Sequence, residues 1–307
     1  FAWKGKLRNW LPQYRENLTL AVPVMLSQVG QVVVQLADNA MVGRLGALPL
    51  AGVSFGGAVF VIFMFWGMGV SLGLTPLVGE AYAKRDLRGA AALFQNSLVL
   101  YAATGIVLLA LLLGLEALMD RMGQAPEVVA QARPYFRYLS WSIVPFMMYC
   151  AFKQFLEGVG NTSAAMVVML TSNAINIGFN YLLIYGNLGF PEMGVRGAAC
   201  ATLIARCVEL IIVIWFLKYR ENVLNLNLRK LLHIDTSYVH DYMKVSLPVL
   251  INQALWGVAQ MVQTGILGHL GGDVTAANAI SVQVYQVLSV VCYGAASAAG
   301  RRPGVKC

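Results

Sequence analysis

The chain has 307 residues, of which 58% are hydrophobic and only 12% charged, and its net charge is +8. Soluble domains carry about 25% charged residues, so this balance excludes an ordinary soluble domain and indicates an integral membrane protein. The positive excess does not indicate a nucleic-acid partner, because the basic residues are scattered between apolar runs, as the positive-inside rule describes.

The apolar runs are about 20 residues or longer, enough to cross a hydrocarbon core of about 30 Å as helices. They lack the period-2 alternation of a membrane β-barrel. Phe1 to Arg15 is basic and amphipathic, with Trp3 and Trp10 among its charges. It reads as an interfacial segment on the cytoplasmic face rather than a signal peptide. The absence of an initiating Met suggests an incomplete N-terminus. Membrane helices are expected at 17–43, 51–76, 90–115, 134–156, 162–186, 194–217, 243–268 and 275–299. The fourth is interrupted by Pro134, Pro145 and Lys153. One set of loops holds most of the Lys and Arg, among them Lys4, Arg8, Lys84, Arg88, Arg229 and Lys230. The alternate set holds Arg44, Arg121, Arg133, Arg137 and Arg196. The first set is expected to face the cytoplasm, which places the N-terminus inside a multi-pass protein of the inner (plasma) membrane.

The first span contains an acid, Asp38, which costs roughly 2.5–3.5 kcal/mol at the centre of a membrane helix on insertion scales. It ends a stripe of Gln28, Gln31, Gln35 and Asp38, at spacings that fall on one helix face. The span also has a distant copy. VPVMLSQVGQVVVQLADNAMVGRLG (22–46) aligns without a gap with LPVLINQALWGVAQMVQTGILGHLG (247–271), an offset of 225 residues. Pro23 matches Pro248, Gln28 matches Gln253, Gln35 matches Gln260, and Gly46 matches Gly271. The copy presents Gln253, Trp256, Gln260 and Gln263 on the equivalent face. Six spans separate the copies, which predicts a parallel repeat about an axis along the membrane normal. The expected fold is all-α and integral to the membrane. A six-helix N-terminal lobe (1–218) is followed by a cytoplasmic linker (219–241) and by the first two helices of a second, repeat-related six-helix lobe (242–299). The tail 300–307, GRRPGVKC, resembles nothing in the first unit, and the chain reads as truncated at its C-terminus.

Lipid-facing amides are penalised, so the paired stripes are expected to line a shared water-accessible cleft. Met64, Phe60, Phe63, Trp66 and Trp256 are expected to supply its apolar wall. Span five adds Asn173, Asn176 and Asn180 on one face, and span six adds Thr202. In span six Arg206 and Glu209 are one turn apart and are expected to satisfy each other. Cys150, Cys200, Cys207 and Cys292 lie in apolar runs and read as packing residues. His233, His240 and His269 read as surface residues without metal spacing. No phosphate-binding glycine loop, G-x-S-x-G elbow or H-E-x-x-H is present. These absences argue against an ATP-driven or catalytic chain, and no cofactor is implied.

The pattern P-x14-D-x4-G-R-L-G, the segment EGVGNTSAAM, the run NAINIGFNYLLIYG with GVRGAACATLIAR, and LPVLINQALWG together resemble the multidrug and toxin extrusion (MATE) family. The WG pattern of span seven is most similar to its DNA-damage-inducible F branch. The resemblance implies a twelve-helix fold of two lobes that exports organic cations and other amphipathic compounds, driven by inward proton or sodium flow. It implies that Asp38 is the cation-coupling acid of the N-terminal lobe, with Asn176 and Thr202 beside it. Asn180 falls where many bacterial members have a second acid, and Gln253 where the branch often has Glu. A two-carboxylate sodium cage is therefore in doubt. The expected partners are small organic molecules, membrane lipid and a proton, with sodium as the alternative ion at Asp38 and Asn180. Pro23 and Gly30 are the expected flex points of helix one. A lipid-linked precursor flippase is a further reading. It calls for a cationic groove, and Arg206 is the one arginine well inside a span, Arg137 and Arg196 lying within three residues of a span's end.

Overall fold

The computed structural model describes residues 2–220 and 236–270 and the positions 281, 282, 285, 288–290 and 292; the side chains of 2–17, 20, 220, 236–241, 260, 261 and 264–270 lie outside the description. Most of the expected eighth span, the tail 300–307, most of the linker with His233, and the side chains of His240, His269 and Gln260 are therefore outside the described residues.

The chain forms α1 (Ala2–Gly43), α2 (Ala47–Ser71), α3 (Leu74–Ala83), α4 (Leu87–Glu116), α5 (Pro126–Trp141), α6 (Ile143–Gly158), α7 (Thr162–Tyr185), α8 (Val195–Arg220) and α9 (Thr236–Leu270). No strand occurs among the described residues. Among them, Ala47–Ala83, Leu87–Glu116, Thr162–Tyr185 and Val195–Tyr219 are long and apolar enough to cross a membrane. These correspond to the second, third, fifth and sixth expected spans. The fold class expected from composition is the one observed. Two spans differ in detail. The first helix continues without a break from Ala2, so the basic N-terminal segment and the first span are one helix. The fourth is two 16-residue helices, α5 and α6, joined at Ser142. Pro145 explains the joint: it has no N–H to offer the carbonyl of Trp141 four residues earlier. The chain turns there, and the Ser142 hydroxyl donates to the Leu139 carbonyl at 2.6 Å.

Local chemistry fixes the helix ends. Asp86 caps α4 by accepting from the Gly89 N–H at 2.9 Å, and Asn161 caps α7 by accepting from the Ala164 N–H at 3.2 Å. The α1–α2 turn needs Gly46, whose φ is +123°, and α7 ends on Gly186 at φ +68°.

α1 lies along α7, and α7 along α8. α8 also packs on α5 and α6, α4 packs on α6, and α2 is flanked by α5 and α9. The main apolar core gathers where α2, α3, α4, α5 and α6 meet, with Phe94 against Phe152 and Phe155 at ring distances of 5.2 and 4.8 Å. Small residues set the close approaches, as in other membrane bundles. A Cβ at Gly67 would lie 2.6 Å from the Met147 sulfur, and one at Gly158 would lie 2.8 Å from Val78. Phe60 belongs to this core at 3% exposure, which corrects its expected place on a cleft wall; Trp66, at 37%, is exposed. Cys150 is buried in the same core.

The second span is also broken, at Leu72 and Gly73, between α2 and α3. A break inside an apolar bundle leaves carbonyls without helical partners. Tyrosines from two other helices supply donors. The Tyr101 hydroxyl of α4 donates to the Ser71 carbonyl at 2.7 Å, and the Tyr242 hydroxyl of α9 donates to the Val70 carbonyl. The two hydroxyls are 2.7 Å apart. α9 approaches closely at this point because Gly69 and Gly73 have no side chains to hold off Leu250 and Ser246. Tyr101→Phe removes one donor from this cluster and is expected to lower stability by about 1–3 kcal/mol. A reduced thermal midpoint in detergent checks it, with Tyr82→Phe, on an exposed tyrosine, as the unchanged control.

Candidate functional site

Asp38 is five residues from the end of α1 and faces α7. The Asn180 amide nitrogen donates to the Asp38 carboxylate and, at 3.0 Å, to the Asn176 side-chain oxygen. Asn176 in turn donates to the Thr202 hydroxyl at 3.3 Å, and Thr202 donates to the Ala198 carbonyl at 3.1 Å. One hydrogen-bond chain thus runs from α1 through α7 to α8. It forms because residues four apart lie one above the other on a helix. Ser172, Asn176 and Asn180 follow that spacing on α7, and Ser172 extends the contact by donating to the Ala205 carbonyl at 3.0 Å. Asn176 and Asn180 are buried, at 4% and 0% exposure. The Tyr185 hydroxyl donates to the Met41 carbonyl at 2.9 Å and ties the end of α1 to α7.

Two properties give the site its chemistry. Among the described residues Asp38 makes no ion pair with Lys or Arg. The Asn180 side-chain oxygen is buried and has no donor. The same hydrogen-bond chain therefore holds a carboxylate without a counter-charge and an amide oxygen without a donor. A proton or a small cation is what such a site lacks. The clusters of His, Cys, Asp and Glu that hold transition metals are absent among the described residues.

The structure brings Asp38, Asn176, Asn180 and Thr202 together and leaves the other expected residues apart from them. Gln31 and Gln35 are exposed and Gln28 is half-buried. Asp38 meets α7 near the end of α1; it lies within about 20° of Gln31 round the helix axis at 100° per residue, so what separates the two is about 10 Å along the helix. On α9, Gln253 is half-buried and Trp256 and Gln263 are exposed. Among the described residues α1 packs chiefly on α7 and α9 chiefly on α2, so the two stripes are not brought into extensive contact. Asn173 stands outside the hydrogen-bond chain, and its amide nitrogen is buried without a partner. Gly30 is a close-contact residue: its missing Cβ would meet Leu170 at 2.6 Å and the Asn173 nitrogen at 3.0 Å. At Pro23 the helix is continuous, and the Ser27 hydroxyl donates to the Pro23 carbonyl at 2.9 Å.

The residue missed in the sequence is Tyr135 of α5. It packs against both apolar clusters and interacts electrostatically with Asp38 and with Arg206. It sits in the proline-interrupted span, where no periodic polar pattern distinguishes it. Arg206 and Glu209 also differ from expectation, since they form no direct ion pair. The Arg206 guanidinium instead stacks 4.0 Å from the centre of the Phe146 ring.

These features define an integral membrane protein, helical throughout its described residues, with an acid of α1 held among amides and without a counter-charge. The family model named MatE matches residues 23–182, more than half of the chain, and the chain belongs to that family. It is 27% identical over 305 residues to "Probable multidrug resistance protein NorM" of Mesorhizobium japonicum, covering 96% of this chain and 64% of that protein. It is 30% identical over 316 residues to the protein of the same name in Rhodopseudomonas palustris, covering 98% and 64%. The chain thus spans about 64% of the length of these relatives. A solved structure described as the "Outward-facing conformation of a multidrug resistance MATE family transporter of the MOP superfamily" superposes with a TM-score of 0.83 at 26% identity, covering 92% of this chain and 62% of its own.

The close contact at Gly30 makes a prediction about the site. Gly30→Leu is expected to force α1 off α7 and to cost about 1–3 kcal/mol by overpacking. Gly178→Leu, where a Cβ meets nothing within 4 Å, is expected to be neutral. Thermal unfolding of the two variants, with carbodiimide labelling of Asp38 as a second readout, checks the pair. Labelling should rise in Gly30→Leu alone.

Proposed function

We propose that the protein of which this chain is part is a secondary active exporter that exchanges amphipathic, often cationic organic compounds against protons by alternating access. It lies in the inner membrane with its N-terminus in the cytoplasm. The observation that carries this reading is the pair formed by the Asp38 carboxylate and the unpartnered Asn180 oxygen. A carboxyl taken out of water without a counter-charge favours its neutral form, and once protonated it has an O–H to donate. With the Asn180 amide turned over, that O–H reaches the oxygen that now lacks a donor. Ionised, the same group attracts a cation.

Proton and cationic substrate thereby favour different states of one acid. Each weakens the other's hold, and that mutual exclusion is the coupling free energy an antiporter needs. The exposed glutamines of α1 and the exposed face of α9 at Trp256 and Gln263 provide an adaptable surface for substrate. The names of the NorM relatives support export of drugs as the biological task.

Sodium coupling is the second reading. The same unpartnered oxygen favours it, because hard cations take oxygen ligands. The Asp38 carboxylate, the side-chain oxygens of Asn176 and Asn180, and the Thr202 hydroxyl lie along one chain of contacts.

Ethidium efflux from cells carrying the full-length protein separates the readings. Wild-type efflux is expected to follow the proton gradient without added sodium, and Asp38→Asn is expected to reduce it at least tenfold. Efflux driven by sodium alone would move the assignment to a sodium site. Undiminished export by Asp38→Asn would remove Asp38 from the mechanism.

A further inference from the structure

The face of α8 that carries Thr202 continues inward. Thr202, Arg206 and Glu209 are spaced by four and three residues, which places them on one side of the helix over about 10 Å. In the orientation proposed above, α8 runs from the exterior to the cytoplasm. The series therefore begins beside Asp38 and descends toward the cytoplasmic face. α6 runs the same way and sets Tyr149 and Lys153 against it.

This cluster has the signs of a polar site left incomplete by the protein. Glu209 is 6% exposed and Tyr149 is 1% exposed. The Arg206 Nε is buried without a hydrogen-bond partner, and the Tyr149 hydroxyl is directed at the Glu209 carboxylate. Arg206 and Glu209, one turn apart, make no ion pair within 4.0 Å. A pair kept only to neutralise itself inside a bilayer would close to contact, since separated buried charges are expensive. Buried donors with no protein partner are commonly met by water. The charged and titratable groups that face Glu209 are Arg206 on α8 and Tyr149, Cys150 and Lys153 on α6, with Glu157 acting on Tyr149. On α5, Tyr135 interacts with Arg206 on one side and Asp38 on the other. On α7 the titratable groups are Tyr181 and Tyr185, at the opposite end of the helix.

We propose that Glu209, flanked by Tyr149 and Arg206, is a second proton-exchange site through which the proton taken up at Asp38 leaves toward the cytoplasm by way of Tyr135. This rests on the proton-coupled reading given above. The proton departs from the Asp38 carboxyl, which becomes a carboxylate. The Tyr135 hydroxyl accepts it and passes its own proton on through water. The Glu209 carboxylate receives that proton, becomes the neutral acid, and returns to a carboxylate by releasing it to cytoplasmic water. The route runs through the interior of the lobe, apart from the glutamine-bearing face of α1.

The test uses the full-length protein in proteoliposomes, with ethidium as the transported probe and the pH of the two sides set independently. Wild-type rate is expected to depend on the pH of both sides. Glu209→Gln is expected to lose about tenfold of its response to pH on the cytoplasmic side while keeping its response to the exterior side. Tyr149→Phe changes one atom of a buried ring. It carries the same expectation in weaker form and decides the question where Glu209→Gln does not reconstitute. Equal losses on both sides would assign the cluster to packing and overturn the proposal, as would two unchanged responses. A wild-type protein that ignores proton gradients and follows sodium would instead show that the underlying reading had failed.

Discussion

The amide of Asn180 is the contact on which the arrangement of the site depends. Among the described residues, its side chain hydrogen-bonds both to the acid of α1 and to Asn176 on the polar face of α7. A carboxylate inside a bilayer needs a donor, and an amide has two N–H groups to give. Both are committed, one to each neighbour, so the carboxylate is held without a cationic partner. An arginine in place of Asn180 would make a tighter pair, because it would add a fixed positive charge beside the carboxylate. The neutral amide holds the acid in position and leaves its charge available.

The same economy appears at the breaks in the helices. Membrane helices tolerate interruption only where other groups restore the backbone hydrogen bonds. Between α5 and α6 the turn is closed locally, by the Ser142 N–H and hydroxyl, which both donate to the Leu139 carbonyl. Between α2 and α3 the repair comes from other helices, through Tyr101 and Tyr242. That repair joins α9 to the helices that precede it in the chain. Gly69 and Gly73 complete the joint by letting α9 approach the backbone of the broken span.

Much of this was readable in the sequence, and the unread part has physical causes. Composition fixed the helical membrane class, and the spacing of Asn176 and Asn180 and the isolated acid at Asp38 pointed to residues that do meet. Helical periodicity carries that information because it depends on local geometry alone. The division of roles along α1 was not readable to the same precision. In a stripe of offsets 0, 3, 7 and 10, Gln31 and Asp38 lie within about 20° of each other round the axis, so their different surroundings come from their positions along the helix, about 10 Å apart, which periodicity does not report. Tyr135 left no trace, since an aromatic residue beside a proline has many reasons to be there. Phe60 and Trp66 look alike in sequence, and only the packing of α2 separates a core ring from an exposed one.

The hydrogen-bond chain from Asp38 to Ala198 has a direction. Asn180 gives to Asp38 and to Asn176, Asn176 gives to Thr202, and Thr202 gives to the α8 backbone. Turning the Asn180 amide over to face a protonated Asp38 takes the donor away from Asn176. Asn176 must then turn as well and accept from Thr202, which releases the Ala198 carbonyl. The row of side chains thus has two polarities, like a line of switches wired in series. A proton placed on Asp38 would thus change the hydrogen bonding at the backbone of α8 before any helix had moved.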